Sequence, residues 1–199
     1  MVIKPERVSL WFDYVRYQNH LSQRFSDCFF PSQLKSKDWL LTQMRFYLPD
    51  IITGQVIIFG GWYGILAGLF RDNKMCNDIV TVDKDPECVK VVKQVTTKQD
   101  KIFPVTCDMV DYEYIARPGL VINTSCEHIT QEEYDKWYNN IPINTYYILQ
   151  SNNFALEEHV RTADSIEEFV EQSKVLPFYS GTLDLGEMKR FMIIGRKNG

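Results

Sequence analysis

The sequence offers no pattern of covalent or metal cross-linking. Its five cysteines, Cys28, Cys76, Cys88, Cys107 and Cys126, are odd in number and widely spaced, with no C-x-x-C among them. That favours reduced thiols over a disulfide framework. The three histidines, His20, His128 and His159, form no H-x-x-x-H and no Cys/His arrangement of zinc type. Cys126 and His128 lie two apart, too few ligands for a site, so no metal is expected. No stretch approaches the roughly 18 consecutive apolar residues that span a bilayer. The opening M-V-I-K-P-E-R lacks an apolar signal core, which leads to the expectation of a cytoplasmic protein. Repeats and low-complexity segments are absent. A formal net charge of −4 and a pI near 5.4 argue against a surface that coats nucleic acid, and favour a small-molecule partner. The charge is uneven: residues 1–50 carry seven basic and five acidic side chains, and the rest is net acidic.

A chain of 199 residues, 45% hydrophobic and 24% charged, is of a size and composition for one globular domain with a substantial core. Residues 1–50 read as helical. Leu10, Trp11, Tyr14, Val15 and Tyr17 recur at helical spacing between Val8 and His20, and Asp38 precedes a second apolar helix that ends before Pro49. Ser36 or Asp38 can cap that helix, while Lys37 could reach a carboxylate.

From residue 51 the rhythm changes to alternating strands and helices. Val56–Phe59 is a short buried strand. It runs into G-G-W-Y-G at 60–64 and then the apolar helix I-L-A-G-L-F at 65–70. A second strand, I-V-T-V-D at 79–83, ends in a carboxylate. Asp85-Pro86 is an N-cap followed by proline at the first helical position, and Val89, Val92 and Val95 stripe the helix it opens. Strands follow at 102–106, 120–123 and 145–150. Capping boxes T-Q-E-E at 130–133 and S-I-E-E at 165–168 open two more helices. The end of the chain abandons the alternation. T-L-D-L at 182–185 and R-F-M-I-I-G at 190–195 flank a tight turn too short for a helix, so they must pair antiparallel. The expected fold is α/β: five β-α repeats closed by a hairpin, preceded by a helical segment.

A glycine turn after one buried strand and a carboxylate after the next bring backbone N–H groups and one acid to the C-terminal edge of a parallel sheet. That combination suits a nucleoside-bearing cofactor. Gly60, Gly61 and Gly64 permit a tight strand-to-helix turn and a close ligand approach. Asp83 is a lone carboxylate ending a buried strand; Asp85 already caps the next helix, so ribose hydroxyls are fitting partners.

On these features residues 51–199 resemble the class I S-adenosylmethionine-dependent methyltransferases. Three things carry the resemblance: the glycine turn, the acid ending strand two and the terminal antiparallel pair. The family pattern is acid-x-Gly-x-Gly-x-Gly. Gly60 and Gly64 match its first and third glycines, whereas Trp62 replaces the middle glycine and Ile58 the acid. The resemblance implies a Rossmann-like, mostly parallel seven-stranded sheet with helices on both faces and a C-terminal antiparallel hairpin. It implies two parts, a helical segment 1–50 covering the substrate side and an S-adenosylmethionine-binding domain 51–199. S-adenosyl-L-methionine would be held by Gly60, Gly61, Trp62, Tyr63, Gly64, Asp83, Asp108, Met109 and Asn123, with Asp108 accepting from the adenine amine; Asp111 competes for that place. N-T-S-C-E-H at 123–128 would face the transferring methyl group. There Asn123 would orient substrate or cofactor, and Glu127 or His128 would act as general base. Cys126 would be a nucleophile only as a thiolate. The plain alternative is that these polar residues cap the coming helix. His20 and His159 read as structural.

The implied activity is methyl transfer to a small molecule. Lyase or aminocarboxypropyl chemistry would use the same cofactor motif. A nicotinamide-dependent reductase would need G-x-G-x-x-G ending at Gly64, which Phe59 breaks. A catalytically silent module is the non-enzymatic alternative, motivated by Ile58 and Trp62.

Overall fold

The computed structural model describes residues 1–17, 22–48, 52–76 and 78–198; His20 lies outside them. Three helices come first: α1 (Pro5–Tyr17), α2 (Ser22–Asp27) and α3 (Pro31–Tyr47). Then follow β1 (Val56–Phe59), α4 (Ile65–Asp72), β2 (Ile79–Asp83), α5 (Pro86–Val95), β3 (Ile102–Thr106), β4 (Leu120–Asn123), α6 (Gln131–Asn140), β5 (Tyr146–Asn152), α7 (Ile166–Ser173), β6 (Pro177–Asp184) and β7 (Lys189–Arg196). The seven strands form one sheet in the order β3-β2-β1-β4-β5-β7-β6. β1 to β5 run parallel, and β7 lies antiparallel between β5 and β6. The Rossmann-like sheet and its terminal hairpin are as expected.

The order explains where a ligand can sit. From β1 the chain steps outward to β2 and β3, then returns to place β4 on the other side of β1. The crevice at this reversal lies beyond the C-terminal ends of β1 and β4, where Phe59 pairs with Asn123.

Both faces of the sheet are covered, which is why β1 and β4 are buried at every position. One face is packed by α4, α5 and the N-terminal helices, through Trp11, Tyr14, Phe25, Leu40, Leu41 and Met44. The other is packed by α6 and α7, through Tyr134, Trp137 and Phe169. The helices α1, α2 and α3 therefore share a core with the sheet. A buried ion pair fixes the first helix: Arg7 grips Asp72 with Nε at 2.9 Å and Nη2 at 3.0 Å, and reaches Asp100 at 2.7 Å. Its side chain crosses α4 at Gly68, where a Cβ would stand 2.9 Å from the Arg7 Cδ.

The structure corrects several element boundaries. α1 starts at Pro5, earlier than Val8, and is described to Tyr17; the expected end at His20 lies outside the described residues. α3 begins at Pro31, not after Asp38, because proline is compatible with the first helical turn, whose N–H has no intrahelical partner. The third β-α repeat has no α-helix. Only a 3₁₀ turn, Met109–Asp111, follows β3. Tyr112 and Tyr114 beyond it pack edge-on against Phe59. Ser165 accepts from the Glu168 N–H, but Glu168 reaches back to Asp164 instead, so the second capping box is half formed. The Thr130 and Glu133 box is complete. β6 starts at Pro177, five residues earlier than the alternation suggests. Pro104 is tolerated in β3 because that strand is a sheet edge.

Candidate active site at the sheet switch point

The glycine turn after β1 is held by the end of β2. Gly61 N–H donates to the Val82 carbonyl at 3.1 Å. Trp62 N–H donates to Asp83 Oδ2 at 2.9 Å, and Asp85 N–H donates to Asp83 Oδ1 at 3.0 Å. Each carboxylate oxygen thus has one backbone donor and keeps acceptor capacity for a further one. Gly60 sits at φ +59° with its missing Cβ facing Ser125, whose Oγ would lie 2.7 Å away. This absence is what lets the turn meet the loop after β4. Gly64, at φ +76°, caps α4.

Trp62 occupies the middle position of the turn at φ 45°, a left-handed conformation strained for a non-glycine residue. Its ring stacks on Tyr63 at 5.1 Å, turned toward the core face of the N-terminal helices. Tyr63 is fully buried beneath Phe25 of α2 (5.8 Å), and burial raises its hydroxyl to about 12. Arg24 of the same helix reaches Asp85 at 3.3 Å.

The exits of β3 and β4 close the ring of contacts. Cys107 N–H donates to the Asp83 carbonyl at 3.1 Å, placing Asp108 and Met109 beside β2. Asp108 is exposed and caps the short turn by accepting from Val110 N–H at 3.1 Å. Asn123 is completely buried. Its Nδ2 donates to Met109 Sδ at 3.4 Å, and its Oδ1 accepts from Ser125 N–H at 2.9 Å. Of the sequence-picked residues, Gly60, Gly61, Trp62, Asp83, Met109 and Asn123 meet at one edge through these contacts, with Asp108 beside Met109; Gly64 opens α4, and Tyr63 is fully buried against Phe25. Asp111 is turned away to Lys136 at 3.1 Å on α6.

The rest of the loop divides sharply. Glu127 is 3% exposed. Its Oε1 accepts from Asn152 Nδ2 at 2.6 Å and from Arg190 Nη1 at 2.8 Å, while Oε2 has no partner. Arg190 also donates to the Thr124 carbonyl. A carboxylate held this way by a buried guanidinium is a poor general base, because taking a proton would leave Arg190 uncompensated. His128, by contrast, is exposed, with its ring edge-on to His159 at 4.6 Å. Cys126 is fully buried, and desolvation pushes its thiol up to about 12, which removes it as a nucleophile.

Sequence reasoning missed Arg190 and Asn152, and read His159 as structural with no link to His128. Arg190 had a signal: it is a charged residue at the start of the otherwise apolar strand F-M-I-I-G. From the N-terminal helices, Ser36 Oγ reaches Gln150 Oε1 at 3.3 Å near the end of β5. Two surface cavities, of about 360 and 330 Å³, lie at the opposite, N-terminal edge of the sheet. One is lined by Tyr138, Lys174 and Arg196, the other by Thr53, Gly119 and Asn144. Neither touches the ring of contacts described above, which is where the chemistry-bearing groups gather.

No protein-family model matches the chain, and no curated protein matches it in sequence. Solved structures do match in shape. The N-methyltransferase NodS from Bradyrhizobium japonicum WM9, in complex with S-adenosyl-L-homocysteine, superposes with a TM-score of 0.67 at 12% identity. The match covers 97% of this chain and 99% of that one. An S-adenosylmethionine-dependent methyltransferase from Clostridium acetobutylicum gives 0.62 at 10% identity, covering 83% and 92%. The geranyl diphosphate C-methyltransferase of Streptomyces coelicolor A3(2) gives 0.64 at 8% identity, covering 83% and 76%. This chain has the fold of the class I S-adenosylmethionine-dependent methyltransferases.

Proposed function

We propose that the protein is an S-adenosylmethionine-dependent methyltransferase acting on a small molecule. One observation carries the reading: at the topological switch point, the glycine turn, Asp83, Met109 and Asn123 are tied into one ring by contacts among the ends of β1 to β4.

The donor set suits the cofactor. Asp83, partly buried and with free acceptor capacity, would take the ribose hydroxyls. Gly60 and Gly61, where a Cβ would press on Ser125 and Thr81, let the turn lie close to its neighbours, and its backbone would meet the methionine portion. Asp108 and Met109 would border the adenine. Trp62 departs from the family pattern; its ring stacks on Tyr63 and packs against the core cluster of the N-terminal helices. The bound cofactor would supply an already activated methyl group. The chain's task is then alignment and exclusion of water. Asn123 would be a positioning residue, since both ends of its amide already hold Met109 and the Ser125 backbone. Glu127 would anchor the loop through Arg190. His128, with its exposed side chain, is the group able to take a proton from the acceptor. The N-terminal helices would form the acceptor-side cover, because Ser36 of α3 contacts Gln150 at the end of β5. NodS and the geranyl diphosphate enzyme are named for an N- and a C-methylation, which supports a small-molecule acceptor without choosing the atom methylated.

Calorimetric titration of the full chain with S-adenosyl-L-homocysteine tests the reading. Saturable binding at one equivalent is expected. Stabilisation by NADH without stabilisation by S-adenosyl-L-homocysteine would overturn it. So would formation of 5′-methylthioadenosine, without S-adenosyl-L-homocysteine, from S-adenosylmethionine.

A further inference from the structure

The turn after β4 and the loop after β5 are stitched together. Arg161 N–H donates to the Glu127 carbonyl at 3.1 Å, Asn152 donates to the Glu127 carboxylate at 2.6 Å, and Phe154 N–H donates to Asn152 Oδ1 at 2.8 Å. This brings His159, from the second loop, against Glu127 and His128. One carboxylate oxygen and one ring nitrogen from each histidine lie within 4.8 Å of one another.

Two features prepare this trio as ligands. His159 Nδ1 is 2.6 Å from the Phe154 carbonyl. A carbonyl can only accept, so Nδ1 carries the proton and, in the neutral ring, Nε2 carries the free lone pair. A backbone carbonyl on the far ring nitrogen is the usual way in which a metal-binding histidine is oriented. The second feature is Glu127 Oε2, a carboxylate oxygen without a hydrogen-bond partner on a side chain 4% exposed. A buried acceptor left open carries a cost that a ligand would remove. Arg190 and Asn152 occupy the other oxygen and hold the carboxylate in place.

We infer that Glu127, His128 and His159 form a binding site for a divalent first-row transition cation. Two imidazoles and one carboxylate suit zinc, manganese or iron over magnesium or calcium, which prefer all-oxygen shells. Metal–ligand distances of about 2.0–2.2 Å require the ligand atoms to close up from their present spacing. The exposed His128 is free to make that movement. Three protein ligands leave positions for water or for an oxygen of the acceptor. That acceptor role rests on the methyl-transfer reading, whereas the metal site does not. With a cation bound, His128 serves as ligand in place of base.

The test is calorimetric titration of the full chain with Zn²⁺, repeated with Mg²⁺ and with the variants His128→Ala and His159→Ala. The expected result is one equivalent of Zn²⁺ bound, at least tenfold weaker binding in each variant, and far weaker binding of Mg²⁺. His128 is exposed, so His128→Ala keeps the fold, which its urea transition verifies. Absence of saturable binding at one equivalent, or wild-type affinity in His128→Ala, overturns the site. Titration with S-adenosyl-L-homocysteine, without metal, runs in parallel. Loss of that binding alone overturns the proposed activity and leaves the cation site standing; loss of zinc binding alone does the reverse.

Discussion

Asp83 accepts the backbone N–H of Trp62 at 2.9 Å, across 21 residues of sequence. One carboxylate therefore holds the glycine turn closed while facing the crevice. Asp83→Ala should remove both functions. Folding stability should fall by about 1–3 kcal/mol, the cost of stranding partners of a charged acceptor. Affinity for S-adenosyl-L-homocysteine should fall roughly tenfold or more, equivalent to about 1.4 kcal/mol. Urea denaturation and calorimetry read the two separately; unchanged affinity would remove Asp83 from the cofactor site.

The left-handed backbone at Trp62 makes a distinctive substitution pattern. Trp62→Gly relieves strain of order 1–3 kcal/mol but loses the stacking on Tyr63, so its net effect should stay within about 1 kcal/mol. Trp62→Val gains nothing and forces a β-branched residue into the same conformation, so it should cost distinctly more. Urea midpoints of the three proteins decide this; equal losses for both variants would show that the turn conformation is not the controlling factor.

Local chemistry was readable in the sequence; distant pairing was not. The Asp85-Pro86 start and the Thr130 and Glu133 box depend on residues within three positions, so their geometry follows from the letters. The glycine turn and Asp83 were readable for a related reason, because each marks a strand end. Arg190 and Glu127 lie 63 residues apart, and only the antiparallel insertion of β7 beside β5 brings them together. His159 was unreadable as a neighbour of His128 because an irregular loop delivers it. The second helix, expected after Asp38, begins at Pro31 because proline fits a first helical turn although it breaks a helix interior.

The ion pair of Glu127 and Arg190 separates a structural from a chemical role. Arg190→Ala leaves a buried carboxylate uncompensated and should destabilise the fold by about 3–5 kcal/mol. Glu127→Ala strands the guanidinium and should cost about as much. If Glu127 served only as a base, its replacement would leave the urea transition unmoved; that outcome would overturn the anchoring role.

Lys37 predicts a pH signature. Burial lowers its amine from 10.5 to about 8; Cys28 opposes the shift and Arg190 adds to it. Its Nζ donates to Gln33 Oε1 at 2.8 Å. The folded state thus disfavours the charged amine that the unfolded chain keeps. Between about pH 8 and 10.5 the unfolded chain binds more protons at this position, so its contribution to stability rises with pH. The buried cysteines act oppositely: Cys28 and Cys76 are both raised to about 12, so the stability they contribute at neutral pH is lost above about pH 9. The clean readout is the difference between Lys37→Met and the parent. Lys37→Met should be the more stable at pH 7, with the gap shrinking toward pH 10.5. A gap independent of pH would show that Lys37 titrates normally.

The motif-bearing part of this molecule is not its smallest folding unit. Everything that marks the cofactor site follows residue 55, yet the sheet face beneath it is closed by side chains from before residue 49, locked by Arg7 on Asp72 and Asp100. Removing the first helices would uncover an apolar surface in place of releasing an independent module. A truncation or fusion that omits the opening helices would therefore leave Tyr63, Leu66 and Phe70 without the side chains that cover them.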